Sequence, residues 1–158
     1  MKLSELNPSS RVWIYQSDRL LTDTEVKGIE EQGMVFVENW SAHGSALEAA
    51  VEVKLNCFIV VSVDENVANA TGCSIDKSVH FVKDLGHAIG VDFFNRLNVA
   101  VENGDNLQLL NLNTLKSLVE DGVLTPESTM FNNTVTTLWE LNEKWRISLA
   151  DSWAANYI

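Results

Sequence analysis

Apolar and polar positions repeat with two different periods along this chain, and the switches between them mark out its elements. Residues 12–16, Val-Trp-Ile-Tyr-Gln, are rich in β-branched and aromatic side chains and are bounded by Ser9 and Ser10 before and Ser17 and Asp18 after, which predicts a first strand. Thr22 followed by Glu25 forms a capping box, in which the hydroxyl and the carboxylate satisfy backbone N–H groups at a helix start. Val26, Ile29, Gly33, Phe36, Val37 and Trp40 then share one helical stripe, with Gly44 as the stop. Gly33 weakens a helix from inside its own stripe, so close approach to a sheet is expected there.

Leu47, Ala49, Val51 and Val53 alternate with Glu48, Ala50, Glu52 and Lys54, the signature of a strand with one wet face. After a turn at Leu55-Asn56, the run from Cys57 to Val63 is almost continuously apolar and reads as a strand buried on both faces. Ser74 is expected to cap a second helix with Ile75, Val79, Val82 and Ile89 as its stripe, flanked by Ser78 and Leu85 and ending near Gly90. Leu97, Val99 and Val101 alternate next, and Asn103-Gly104 signals a hairpin into Leu107 to Leu110.

The order over 11–104 is β-α-β-β-α-β, an α+β, ferredoxin-like antiparallel sheet whose first and third strands lie centrally. Both helices then cover one face of the sheet. The other face needs a cover for Trp13, Tyr15, Phe58 and Val60, and 105–158 is expected to supply it as a short strand plus a helical C-terminal extension. Its helices would span about Thr114 to Glu120 and about Thr134 to Ala150, the latter with Val135, Leu138, Trp145 and Leu149 in a stripe. Residues 1–158 read as a single domain.

Composition narrows the function classes. A hydrophobic content of 46% in 158 residues can bury a core, and 11 basic against 22 acidic residues gives a net charge of −11. With no basic cluster, that charge argues against nucleic acid and against an anionic membrane surface. The first twenty residues hold no apolar leader core and no stretch has the length of a membrane span, so a cytoplasmic location is expected. Two cysteines, Cys57 in an apolar run and Cys73 in a loop, rule out a disulfide framework.

Four motifs, Trp40-x-x-His43-Gly44, Val63-Asp64-Glu65, Gly72-Cys73-Ser74-Ile75-Asp76-Lys77-Ser78 and Phe94-x-Arg96, resemble a family of short bacterial proteins often catalogued as "ABC transporter ATPase". The label implies a phosphate-binding loop, which needs two glycines separated by four residues and followed by Lys and Ser or Thr. Gly72 to Ser78 lacks the second glycine and would turn Asp76 toward the phosphates, so neither ATP binding nor hydrolysis is expected.

In the ferredoxin-like order, one edge of the sheet collects the end of the first helix, the end of the third strand and the start of the second helix. His43, Asp64 and Cys73 are therefore candidates for base, orienting group and nucleophile, and Gly72, Ser74 and Asp76 for contact with a small polar or anionic ligand at a helix N-terminus. Each also has a structural reading: Asp64 capping a loop, Asp76 complementing the helix dipole, His43 bonding terminal carbonyls. Gln16 and Arg96 fall at the opposite edge. His43, Asp64, Cys73 and Asp76 lack zinc-site spacing, so no metal and no cofactor is expected. Asp76, His80, Lys83 and His87 share a face that reads as solvated, and Trp139, Trp145 and Trp153 read as packing residues. The functional expectation is a non-catalytic binding or protein-interaction domain, with a homo-oligomer or another protein as partner; a small enzyme using Cys73, His43 and Asp64 is the alternative.

Overall fold

The computed structural model describes residues 1–158 except His43. Three strands, β1 (Arg11–Gln16), β4 (Ala49–Lys54) and β5 (Phe58–Val63), form an antiparallel sheet in the order β1-β5-β4, so the most apolar strand is central. Between β1 and β4 the chain makes α1 (Asp23–Glu38) and a small hairpin of β2 (Ser41–Ala42) and β3 (Ser45–Ala46); α2 (Gly72–Ile89) follows β5. The remainder builds β6 (Asn98–Asn103), β7 (Asn106–Asn111), α3 (Leu115–Glu120), β8 (Thr129–Phe131), α4 (Leu138–Lys144) and β9 (Arg146–Ser148), whose strands form a second sheet in the order β7-β6-β8-β9. The fold is mixed α and β, with four α-helices and several antiparallel sheets among the described residues. No helix there is long and apolar enough to cross a membrane.

The register explains how two cores form on one sheet. Trp13, Tyr15, Val51, Ile59, Val61 and Val63 point to the face covered by α1 and α2, where Ile29, Val82 and Leu85 meet them. Val12, Ala50, Phe58 and Val60 point to the other face and are covered by Phe131, Val135, Leu138, Leu141 and Trp145. Residues from the C-terminal third thus cover the second face, as expected, but they cover Phe58 and Val60 while Trp13 and Tyr15 belong to the helical side.

The Thr22 capping box starts α1, and a Cβ placed on Gly33 would lie 2.8 Å from the Cβ of Val51, which is the close helix–sheet approach expected there. That helix stops at Asn39 rather than at Gly44, because Trp40 leaves the helix to donate from Nε1 to the Ser74 carbonyl at 2.9 Å. The second helix is capped by Thr71, three residues before the expected Ser74, which sits in the reciprocal position of the capping box. Its buried stripe runs through Ser74, Ser78, Val82, Leu85 and Gly86, so Ile75 and Val79 lie at the margin rather than the centre.

The largest departure concerns the fourth strand of the expected ferredoxin-like order. It does not join β1: β6 pairs with β7 and β8 instead. Its Val99 and Val101 are buried against Leu112, Leu115, Met130 and Leu149, while Ala100 faces the opposite core, so this strand is interior and needs partners on both sides. The C-terminal helical extension is likewise replaced. Val135, Leu138, Trp145 and Leu149 are all buried as their spacing suggested, but α-helix covers only Leu138–Lys144, and Leu149 begins a short 3-10 turn. Thr134, Thr136 and Thr137 precede it, β-branched residues that lower helix propensity. Thr137 instead caps α4 by accepting from the Glu140 N–H at 3.1 Å.

Candidate functional site

At the end of the sheet where β1 begins, Asp64 and Ser74 make local hydrogen bonds. Asp64 is half-buried and its carboxylate accepts from the Asn66 N–H at 3.0 Å, closing the loop after β5. Ser74 is buried, and its hydroxyl accepts from the Thr71 N–H at 2.6 Å and donates to the Thr71 carbonyl at 2.9 Å. Gly72, Cys73 and Asp76 are exposed on the first turns of α2. His43 lies outside the described residues. Asp76, His80, Lys83 and His87 are all exposed, and no group of three or more potential metal ligands occurs among the described residues.

The other end of the sheet is concave. A cleft of about 550 Å³ is lined by Ile14, Tyr15 and Gln16 of β1, by Phe93 to Arg96 in the loop after α2, by Asn98 of β6, by Asn133 and Thr134, and by Trp153. That volume lies within the range of about 300–1,000 Å³ of small-ligand sites. The cleft lies along the outer edge of β1, where no strand pairs past Val12 among the described residues, and the loop after α2 and the segment before α4 flank it.

Hydrogen bonding fixes the amides at its base. The Trp145 indole can only donate, so its Nε1–H bond of 3.0 Å identifies the Asn133 atom as Oδ1. Asn133 Nδ2 must then donate to Gln16, 2.9 Å away, whose acceptor is Oε1. Gln16 is 8% exposed, and this chain of donors leaves its Nε2 buried without a partner among the described residues. An unpaired buried donor costs about 1–3 kcal/mol. The Ser10 hydroxyl is also buried and unpaired, but it sits before the other end of β1.

The electrostatics of the cleft differ from those of the chain. Among the described residues no Asp or Glu lines it, although the protein carries 22 of them. Arg96 is exposed at the cleft and makes no salt bridge among the described residues. Asp92, in the same loop, is engaged by the Phe94 N–H at 2.8 Å and does not line the cleft. Aromatic rings complete the lining: Tyr15 meets Phe94 edge-on at 5.5 Å, and Trp153 is 41% exposed. Burial pushes the Tyr15 hydroxyl above its usual pKa, against a smaller opposing effect of Ser78, so it stays a neutral group.

Of the residues singled out from sequence, Gln16 and Arg96 are brought together here, at the edge opposite the start of α2. Trp153, read as a packing residue, lines the cleft instead, and Asn133 was missed. The only available signal was the polar run Asn132-Asn133-Thr134, which reads as an ordinary loop. Compared with protein-family models, with curated proteins and with solved structures, the chain matches none.

Proposed function

We propose that this protein is a non-catalytic binding domain whose ligand occupies the cleft at the end of β1. The observation that carries the reading is Gln16 Nε2, a buried donor without an acceptor among the described residues, on a residue that lines a concavity of ligand size. A ligand carbonyl or carboxylate would meet that donor, Arg96 would attract the negative charge, and Tyr15, Phe94 and Trp153 would hold an apolar or planar portion. This keeps the small polar or anionic ligand expected from sequence but moves it from the start of α2 to the opposite edge. A cytoplasmic setting and a protein partner remain part of the proposal. The likeness to short bacterial proteins adds no phosphate chemistry, since Gly72 to Ser78 lacks the second glycine.

The test is a ligand-observed NMR screen of small aromatic carboxylates against the wild type, Gln16→Leu and Cys73→Ser. Binding should be lost with Gln16→Leu and retained with Cys73→Ser. The stability of Gln16→Leu should lie within about 1 kcal/mol of wild type, because the variant removes one unpaired donor and leaves another on Asn133. Binding that needs Cys73 and ignores Gln16 would favour the enzyme reading instead.

A further inference from the structure

We infer that the ligand is an extended peptide bearing a carboxylate, added as a strand to the free edge of β1; this rests on the cleft being the binding site. The first observation is backbone pairing. Val12 N–H donates to the Thr136 carbonyl at 3.0 Å, and the Leu138 N–H to the Ser10 carbonyl at 2.9 Å, so the outer side of β1 is closed at its beginning. In an antiparallel ladder successive residues direct their backbone groups to opposite sides, and Val12 faces away from β5. Ile14 and Gln16 face the same way. β1 pairs only with β5, on its other side, so among the described residues the N–H and C=O of Ile14 and Gln16 have no backbone partner along the cleft. An open edge of this kind is a template for another strand.

The second observation is shape. A smaller hollow of about 280 Å³ lies along Arg11 to Tyr15 and shares Ile14, Tyr15, Asn133 and Thr134 with the main cleft, so the concavity follows the strand instead of forming a round pit. The third is charge. Neither hollow is lined by a carboxylate, and each includes an arginine: Arg11, paired with Glu65 at 3.3 Å and stacked over Trp13, and Arg96, without an ion pair among the described residues. On a chain of net charge −11, a groove with no acid in its lining and with Arg96 unpaired among the described residues favours an acidic segment, although Arg11 at the other end is already neutralised by Glu65. A second copy of this chain is disfavoured at the same edge, because it would bring like arginines and two strongly acidic surfaces together.

The experiment selects peptides from a displayed library of random twelve-residue segments on the intact protein, then remeasures the best binder with one backbone nitrogen methylated at a time. Strand addition expects affinity to fall about tenfold or more at alternate residues over a stretch of four or five and to change little between them, since one lost hydrogen bond of this kind is worth about that factor. It also expects Arg96→Ala to weaken binding about fivefold or more, and replacing the peptide's acidic residue to do the same. Methylation tolerated throughout, losses without a two-residue period, a library that yields no binder, or a dimer in solution held through β1 would overturn the inference. Aromatic carboxylates that still bind through Gln16 when peptides do not would leave the binding-domain reading standing and remove only strand addition.

Discussion

Gly33 is the residue at which α1 touches the sheet. A methyl group there would lie 2.8 Å from the Val51 Cβ and 2.9 Å from its Cγ1, whereas a methyl on Gly28 would meet nothing within 4 Å. Both are helical, so alanine gains up to about 1 kcal/mol of propensity at either site. At Gly33 the overpacking costs about 1–3 kcal/mol and outweighs it. Gly33→Ala should therefore lower the denaturant midpoint and Gly28→Ala should raise it; equal shifts in the same direction would contradict the close contact. This contact was legible in the sequence because a glycine inside an apolar stripe breaks a local rule and needs a reason. Gln16 was not legible as a ligand group. A polar residue closing a strand reads as a boundary, and its partner Asn133 is 117 residues away, beyond any local pattern.

At the scale of elements, Arg19 ties the start of α1 to the end of α2. Its guanidinium donates twice to Glu25 at 2.8 Å and once to the Ile89 carbonyl at 2.9 Å. The Arg19 contact first, and the Thr22 N–H second, hold the Glu25 carboxyl down at about 2. In the unfolded chain it titrates near about 4.3. A lowered folded value stabilises the fold above the unfolded value and loses that contribution as pH falls through the folded one. The difference in Tm between wild type and Glu25→Gln should thus be present at neutral pH, shrink below pH ~4.3 and vanish near the folded value. It should be small and salt-sensitive, since the Arg19 side chain is 42% exposed. A pH-independent difference would mean that the pair acts by packing alone. Elements with their own caps or periodicity, such as α1, β4, β5 and the β6–β7 hairpin, could be read locally. Strands β8 and β9 have three residues each, too few for a period, and it is their pairing with β6 and with each other that reorganises the C-terminal third.

The whole molecule follows from one strand changing sheets. Because β6 is buried on both faces it takes β7 and β8 as neighbours, which leaves β1 as an open edge and draws Asn133 and the loop after α2 around it. The same rearrangement places Phe131 and Trp145 over Phe58, with ring centroids 5.2 and 4.8 Å away, so the covering of the sheet and the base of the cleft share the Trp145 side chain. Sequence reasoning found three strands of this sheet and the need for a cover but placed a fourth strand beside β1; the open edge depends on which partners β6 takes, and periodicity cannot make that choice. The central claim is that ligand chemistry belongs to this open edge and not to the start of α2. It is tested most directly by a proton–nitrogen correlation spectrum recorded as an aromatic carboxylate is titrated into the protein. The account predicts that the side-chain amides of Gln16 and Asn133, the Trp153 indole and the backbone N–H of Ile14 and Arg96 move together with one affinity. Shifts confined to Asp64 through Asp76, with Gln16 unmoved, would contradict it.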